Sequence, residues 1–326
     1  MIIARSPLRI SLGGGGTDVP SYFQKHEGYV LSAAINKYVY ITVTRPFDTG
    51  IFLKYSNIEK VKNVNDVQHP IIRETLRTLN LKSPQIEVTS LADIPAGSGL
   101  GSSGSFTTCL IKALYTHYRK PIYPKDLAEL ACEIEIDKLK EPIGKQDQYI
   151  SAYGGITEFT FGSNGHVEVN SLKLSPETIH CLEDNLLLFF TGQLRRASSI
   201  LRDQVERSTL GEDEITENLH MIKALGYEVR AALLAGDADS FGRIMNQHWR
   251  IKRSRSENIS NSIIDIAYEK ALAAGALGGK LIGAGGGGFL MFYTKRREEL
   301  KNAMKELGIE EVRFRFDFEG TKVLSI

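Results

Sequence analysis

Pro95-Ala96-Gly97-Ser98-Gly99-Leu100-Gly101-Ser102-Ser103-Gly104-Ser105 is the stretch on which the reading of this chain turns. A run rich in β-branched residues, 85–91, leads into it, and a helical pattern, 103–118, leaves it. It is therefore a strand-to-helix turn made of small residues. Glycines without a Cβ let backbone N–H groups approach an anion, and the N-terminus of the following helix adds a favourable dipole. A phosphate is the natural guest. Three other nucleotide signatures do not account for it. Gly99-Leu100-Gly101-Ser102-Ser103-Gly104 matches the dinucleotide spacing G-x-G-x-x-G. That fold needs a further strand with an acidic end after the helix, whereas a second helical pattern, 124–140, follows here. The spacing G-x-x-x-x-G-K-[ST] is absent. So are V-A-I-K and H-R-D, and Asp317-Phe318-Glu319 is not D-F-G.

Two further glycine clusters flank this one. The first lies in Arg5-Ser6-Pro7-Leu8-Arg9-Ile10-Ser11-Leu12-Gly13-Gly14-Gly15-Gly16-Thr17-Asp18, ahead of a short helix at 19–24. The last is Gly279-Lys280-Leu281-Ile282-Gly283-Ala284-Gly285-Gly286-Gly287-Gly288-Phe289. Between them runs Glu135-Ile136-Asp137-Lys138-Leu139-Lys140-Glu141-Pro142-Ile143-Gly144-Lys145-Gln146-Asp147-Gln148. Glu135 falls on a different face of the helix 124–140 from its neighbours Glu133 and Asp137, so only one of the three is expected to point at a bound metal.

The surrounding chain is an ordinary globular one. Its 326 residues predict two domains at about 100–200 residues each. Lys+Arg 40 against Asp+Glu 39 leaves a charge of +1, which argues against a nucleic-acid partner. No apolar run approaches the ~20 residues of a membrane span, and the start has no signal-peptide pattern. Cys109, Cys132 and Cys181 are few and far apart, which fits a reducing cytoplasm rather than a disulfide framework. Strand patterns occupy 2–4, 9–12, 29–33, 38–44, 51–55 and 85–91, with a helix at 70–79. After the helices 103–118 and 124–140 come a short helix, 147–152, a hairpin, 156–161 with 167–169, and a buried strand, 185–191. Helices follow at 197–208, 214–235, 238–252 and 262–274. The chain closes on strands 279–282 and 288–293, a helix 297–307 and a strand 311–316. Strands and helices come in blocks, so the class is α+β. The boundary falls near 172–184, giving domains 1–175 and 176–326.

The loop resembles the phosphate loop of the GHMP kinases, P-x-x-x-G-L-G-S-S-A, with Gly104 in place of the usual Ala, a mild change. The first cluster is similar to the family's N-terminal motif, with Arg9 on its arginine and Thr17-Asp18 on its terminal T-D. The last cluster resembles the third motif, K-L-x-G-A-G-x-G-G. The three motifs stand in family order across nearly the whole chain. This resemblance implies a two-domain fold, ribosomal protein S5 domain 2-like then ferredoxin-like. It implies ATP as a cofactor wrapped by Pro95, Gly97, Ser98, Gly99, Leu100, Gly101, Ser102 and Ser103. Mg²⁺ would be held by a loop hydroxyl, Ser103 or Ser102, and by Glu135, which sits seven residues before Pro142 as the metal-binding glutamate does in mevalonate kinase. Asp147 falls on the catalytic aspartate of galactokinase, where it would orient the acceptor hydroxyl and take its proton. Arg9 would contact the transferring phosphoryl group. The substrate would lie against Gly14, Gly15, Gly16, Thr17, Asp18, Gly285 and Gly286.

Within the family, the string Leu8–Asp18 and fragments such as His69-Pro70-Ile71-Ile72-Arg73-Glu74 look most like the D-glycero-D-manno-heptose 7-phosphate kinase group. That resemblance implies phosphorylation of an anomeric hydroxyl, giving the 1,7-bisphosphate for nucleotide-activated heptose and surface polysaccharide. Fucokinase- or galactokinase-like sugar 1-kinases are the alternative, and a sugar sensor without catalysis the remote one. A sugar phosphate needs a cationic receptor, for which Lys145, Arg195-Arg196 and Lys252-Arg253 with Arg255 are candidates. Arg196 and Lys145 are carried forward as substrate residues. Tyr22, Tyr149 and Trp249 read as core or rim, and His26, His69 and His248 have no metal-ligand spacing. The partner expected is a small sugar phosphate, with no nucleic acid or membrane, for a cytoplasmic monomer or homodimer.

Overall fold

Pro7 interrupts the ladder of the long first strand, β1 (Ile2–Gly13), and the register with its neighbour shifts between Pro7 and Leu8. Proline has no N–H to donate, so a strand bends or bulges where it must hold one. The sequence reading split β1 and its partner β2 (Gly28–Thr44) into two strands each. Both are continuous, because the small and branched residues on either side of the bulge still pair across it. A computed structural model describes residues 1–81, 84–194, 213–255 and 259–325.

Among the described residues eight strands form the first sheet. The hairpin β3 (Ile51–Lys54) and β4 (Ile58–Val61) lies at one edge, next to β5 (Ile86–Ala92). The order is β11-β1-β2-β5-β3-β4, with β6 (Ile156–Phe161) and β7 (Val167–Ser171) continuing from the other half of β2. Helix α1 (Pro20–His26) connects β1 to β2, and α2 (Pro70–Thr78) leads to β5. Helix α3 (Ser102–His117) lies on β1 and β2, burying Cys109, Leu110, Ala113 and Leu114 against Ile41, Val43 and Val88. Each fully buried leucine contributes about 1.5–3 kcal/mol. Ser105 of α3 and Ser151 of α5 (Gln146–Tyr153) both donate to the Pro7 carbonyl, at 2.7 and 3.1 Å. The bulge is thus pinned to two helices, two residues before Arg9.

The helix expected over 124–140 is α-helical only over α4 (Pro124–Cys132) and continues as a π-helix over Glu133–Lys138. The wider turn changes which residues face inward. Glu135 is 1% exposed, while Glu133 and Asp137 are exposed.

The second sheet has the order β8-β10-β9, from β8 (Leu186–Phe190), β9 (Gly278–Leu281) and β10 (Phe289–Tyr293). Helix α6 (Pro176–Asn185) leads into it. Helices α7 (Asp213–Leu234), α8 (Ala238–Ser254), α9 (Ser262–Ala273) and α10 (Arg297–Lys305) complete this half. Trp249, Tyr268, Leu290, Phe292 and Leu300 share its core. The strand expected at 311–316 is not one. That segment bridges to Phe189 of the second sheet at Glu311 and to Ile35 of the first at Phe316, so its backbone serves two sheets and ladders with neither. The chain ends instead in β11 (Lys322–Ser325), antiparallel to β1. We keep 1–175 and 176–326 as the proposed division, with 322–325 returning to the sheet of the first part. The helix expected at 197–208 lies outside the described residues. No described helix is long and apolar enough to cross a membrane.

Candidate active site

Arg9 leaves β1 just past the bulge and ties the site together. Its Nε donates to Asp147 Oδ1 at 2.7 Å, one Nη donates to the Gly99 carbonyl at 2.6 Å, and its backbone N–H donates to the Leu100 carbonyl at 2.9 Å. One residue of the first glycine motif thereby holds both the phosphate loop and the start of α5. The guanidinium is 7% exposed and the Asp147 carboxylate 29%, so the pair is sheltered yet open to a ligand on one side. Both residues line a cavity of about 720 Å³ between the two halves of the molecule.

The phosphate loop forms one wall. Gly97, Gly99 and Gly101 all have positive φ, and Gly101 caps the N-terminus of α3. The cavity touches Gly97, Gly99, Gly101, Ser102, Ser103 and Gly104. Three side chains of the expected loop turn elsewhere. Leu100 is fully buried in the apolar core, Ser98 is buried, and Pro95 faces solvent away from the cavity.

Ser103 Oγ donates to Glu135 Oε1, and Gln148 Nε2 donates to Glu135 Oε2 at 2.8 Å. Burial pushes the Glu135 carboxyl up to about 7; hydrogen bonds from Ser103, Gln148 and Thr107 pull against it, and the charge of Asp147 adds to it. A hydroxyl beside a buried carboxylate, with a second carboxylate nearby, is a hard oxygen set that suits Mg²⁺. The cation would relieve the cost of ionising Glu135.

Gly15, Gly16, Asp18 and Gln146, on the side where the acceptor is expected, also line the cavity. Asp18 Oδ1 accepts from the Gly16 amide and Oδ2 from the Gln146 amide, each at 3.0 Å. The carboxylate clamps the glycine strip to α5. Its pKa is raised, first by burial. Other expected substrate residues lie off the cavity. Thr17 Oγ1 accepts from the Tyr29 amide at 3.0 Å and lies 2.8 Å from the Gly14 carbonyl, so both residues fasten the strip to β2. Gly285 and Gly286 pack on Ile259, Gly286 donating to its carbonyl at 2.8 Å, and Gly283 and Ala284 line the cavity instead. Lys145 Nζ turns to Glu129 Oε2 at 3.3 Å and the Gly165 carbonyl at 3.2 Å, on a different surface, so it is no phosphate receptor here. Arg195 and Arg196 lie outside the described residues.

Two further groups line the cavity, and of them the sequence reading had named only Lys252 and Arg255 as receptor candidates. Tyr55, Leu91, Ile94, Leu139 and a His69–Phe106 stack at 5.0 Å form an apolar arm beside the loop. They come from separate elements and no spacing joins them. The other group is basic: His248, Lys252 and Arg255 with Lys280. The first three recur at i, i+4 and i+7 along α8 and its C-terminal cap, Arg255, a one-face pattern visible in sequence. Arg253 is on another face, paired with Asp265 at 2.9 Å.

Gly104 is not the mild replacement its sequence position implies. A Cβ there would lie 2.8 Å from Asp147 Cβ and 2.9 Å from both the Asp147 carbonyl carbon and the Gln148 nitrogen. Helix α5 packs directly on α3 at this point, where no side chain intervenes. Gly104→Ala is therefore expected to push α5 outward and misplace Asp147. Misplacements of about 1 Å can cost ~10²-fold, so kcat should fall at least tenfold, with the melting temperature lowered by the few degrees that an overpacking cost of about 1–3 kcal/mol implies. An unaltered kcat would mean that α5 is free to adjust.

Residues 67–155 match the GHMP kinases N terminal domain and residues 229–310 the GHMP kinases C terminal domain. The chain is 32% identical to the D-glycero-alpha-D-manno-heptose 7-phosphate kinase of Campylobacter jejuni, over 98% of each. It is 28% identical to a bifunctional fucokinase/GDP-fucose pyrophosphorylase of Arabidopsis thaliana, over 92% of this chain and 30% of that one. A crystal structure described as a D-glycero-D-manno-heptose 1-phosphate kinase from Bacteroides thetaiotaomicron superposes with a TM-score of 0.83 at 28% identity, covering 100% of this chain and 99% of that one.

Proposed function

Because the chain belongs to the GHMP kinases and is an ATP-dependent sugar kinase, we propose that its acceptor is D-glycero-D-manno-heptose 7-phosphate, phosphorylated on the anomeric hydroxyl. The product would be the 1,7-bisphosphate, made in the cytoplasm for nucleotide-activated heptose and surface polysaccharide. The observation that carries the chemistry is the Arg9–Asp147 pair, lodged between the phosphate loop and the glycine strip. The sugar rests on the similarity to the Campylobacter jejuni enzyme along nearly its whole length.

In this reading the apolar arm takes the adenine, with the stacked Phe106 and His69 rings along one side of it. Burial keeps His69 below its ordinary pKa and favours the neutral ring that an apolar arm requires. Backbone N–H groups of Gly97–Ser103 and the N-terminus of α3 receive the ATP phosphates. Ser103 and Glu135 would hold Mg²⁺, which supplies charge neutralisation on the phosphate oxygens. Asp147 Oδ1 is occupied by Arg9, leaving Oδ2 to accept the proton of the anomeric hydroxyl. The acceptor oxygen bonds to the γ-phosphorus as the bond to ADP breaks, and Arg9 stands ready to stabilise the charge on the transferring group. Such transfers run through a loose transition state, so positioning and electrostatics carry most of the rate.

A substrate panel tests the sugar. kcat/KM for heptose 7-phosphate is expected to exceed that for fucose, galactose and unphosphorylated heptose by about a hundredfold or more, since a site that pairs a substrate's polar group rejects the analogue lacking it. Faster turnover of fucose, which the Arabidopsis thaliana relative makes the second reading, would replace the heptose assignment while leaving the kinase chemistry in place.

A further inference from the structure

Two buried lysines in the cavity lack a counter-ion among the described residues. Lys280 is 2% exposed and its Nζ donates to the Leu12 carbonyl at 2.8 Å; Lys252 is 9% exposed and donates to the Leu281 and Gly283 carbonyls. Neither makes an ion pair among the described residues. The carboxylates that line the same cavity near the reacting centre are engaged elsewhere. Asp147 is held by Arg9, Asp18 by two amides, and Glu135 by Ser103 and Gln148. His248 is one turn before Lys252 and 3% exposed, and neither of its ring nitrogens has a hydrogen-bond partner among the described residues. Arg255, one turn after Lys252, donates Nε to Asn218 at 3.0 Å.

We propose that Lys252, Lys280 and His248 form the receptor for a phosphate that the acceptor sugar already carries. Buried charge without a counter-charge is costly, and several basic groups converging on one cavity wall match a dianion rather than neutral sugar hydroxyls. The position favours the acceptor over the nucleotide. Lys280 is bonded to the Leu12 carbonyl, directly ahead of the Gly13–Gly16 strip, whereas the ATP phosphates already have the loop amides and the α3 N-terminus. The charge states agree. Burial and the Arg9 charge bring Lys280 down to about 7. Burial, then the charges of Lys280, Arg255 and Arg9, hold Lys252 well below the usual lysine range. Burial, then Lys280, Lys252 and Arg255, keep His248 neutral. A bound dianion reverses these shifts, so the site must take up protons as the ligand enters.

The receptor deepens the sugar-phosphate reading above and rests on it. Its test compares heptose 7-phosphate with free heptose in the wild type, Lys252→Met and Lys280→Met. Each variant is expected to lose about ten- to a hundredfold of the preference for the phosphorylated sugar, the range for one charge-assisted hydrogen bond. KM for ATP should stay within about threefold, because the lost contact is to the other substrate. Calorimetry of the wild type at pH 8, in buffers of different ionisation enthalpy, keeps the test open should a variant misfold. Proton uptake is expected with heptose 7-phosphate and none with free heptose. An undiminished preference in both variants, a loss confined to KM for ATP, or equal proton uptake with the two sugars overturns the receptor and leaves the sugar-phosphate reading intact. A wild type with no preference for the phosphorylated sugar overturns that reading and the receptor with it.

Discussion

Asp147→Asn is expected to lower kcat by about 10²–10⁴-fold, the usual contribution of a positioned general base, with ATP and sugar affinities within severalfold of wild type. The amide keeps the shape of the carboxylate and its oxygen can still accept from Arg9 Nε. Arg9 also remains anchored on the Gly99 carbonyl. The loop and the start of α5 therefore stay joined, and a thermal melt should register little change. What the amide cannot do is take the acceptor proton on the oxygen that faces away from Arg9. Steady-state rates alongside calorimetric affinities separate the two effects. A loss well below tenfold would assign Asp147 to orientation alone, with the loose transition state needing no base.

Gly101→Val acts on both substrates at once. Gly101 has φ 78°, a conformation that a β-branched residue adopts only at a cost of order 1–3 kcal/mol. A Cβ there would lie 3.0 Å from Arg9 Cγ and 3.3 Å from Asp147 Cγ. The side chain would thus occupy the mouth of the phosphate loop and press on the ion pair. ATP binding measured by calorimetry is expected to weaken by about two orders of magnitude or more, the size of losing two or more charge-assisted hydrogen bonds. Turnover should fall further than affinity alone explains. Circular dichroism should remain that of the wild type, since the loop lies at the cavity and the buried core is untouched. Unchanged ATP affinity would remove the loop from the nucleotide site.

Much of this was legible along the chain. The small-residue turn between a strand and a helix, the two outer glycine clusters and the segment around Asp147 are local patterns, and the phosphate loop, Arg9 and Asp147 meet at one cavity as their spacing implies. Glu135 was separable from Glu133 and Asp137 because helix faces follow from spacing, although the π-turn that buries it did not. Lys145 was misread because a basic residue two positions before Asp147 is near it in sequence, while the backbone turn sends its side chain to Glu129. Thr17, Gly14, Gly285 and Gly286 were misread in the opposite sense: their motifs border the site, but these members hold the motifs in place.

Local order by itself determined the blocks of strands and helices, the small-residue turn ahead of α3 and the family, because each depends on neighbours a few residues apart. Tertiary structure alone decided which charged groups share a volume. Lys280 of β9 meets Arg9 of β1 and the Lys252 stripe of α8 only after two sheets close on one another. The same closure strips water from these groups, and it is loss of water, not sequence distance, that turns ordinary lysines into a site for an anion.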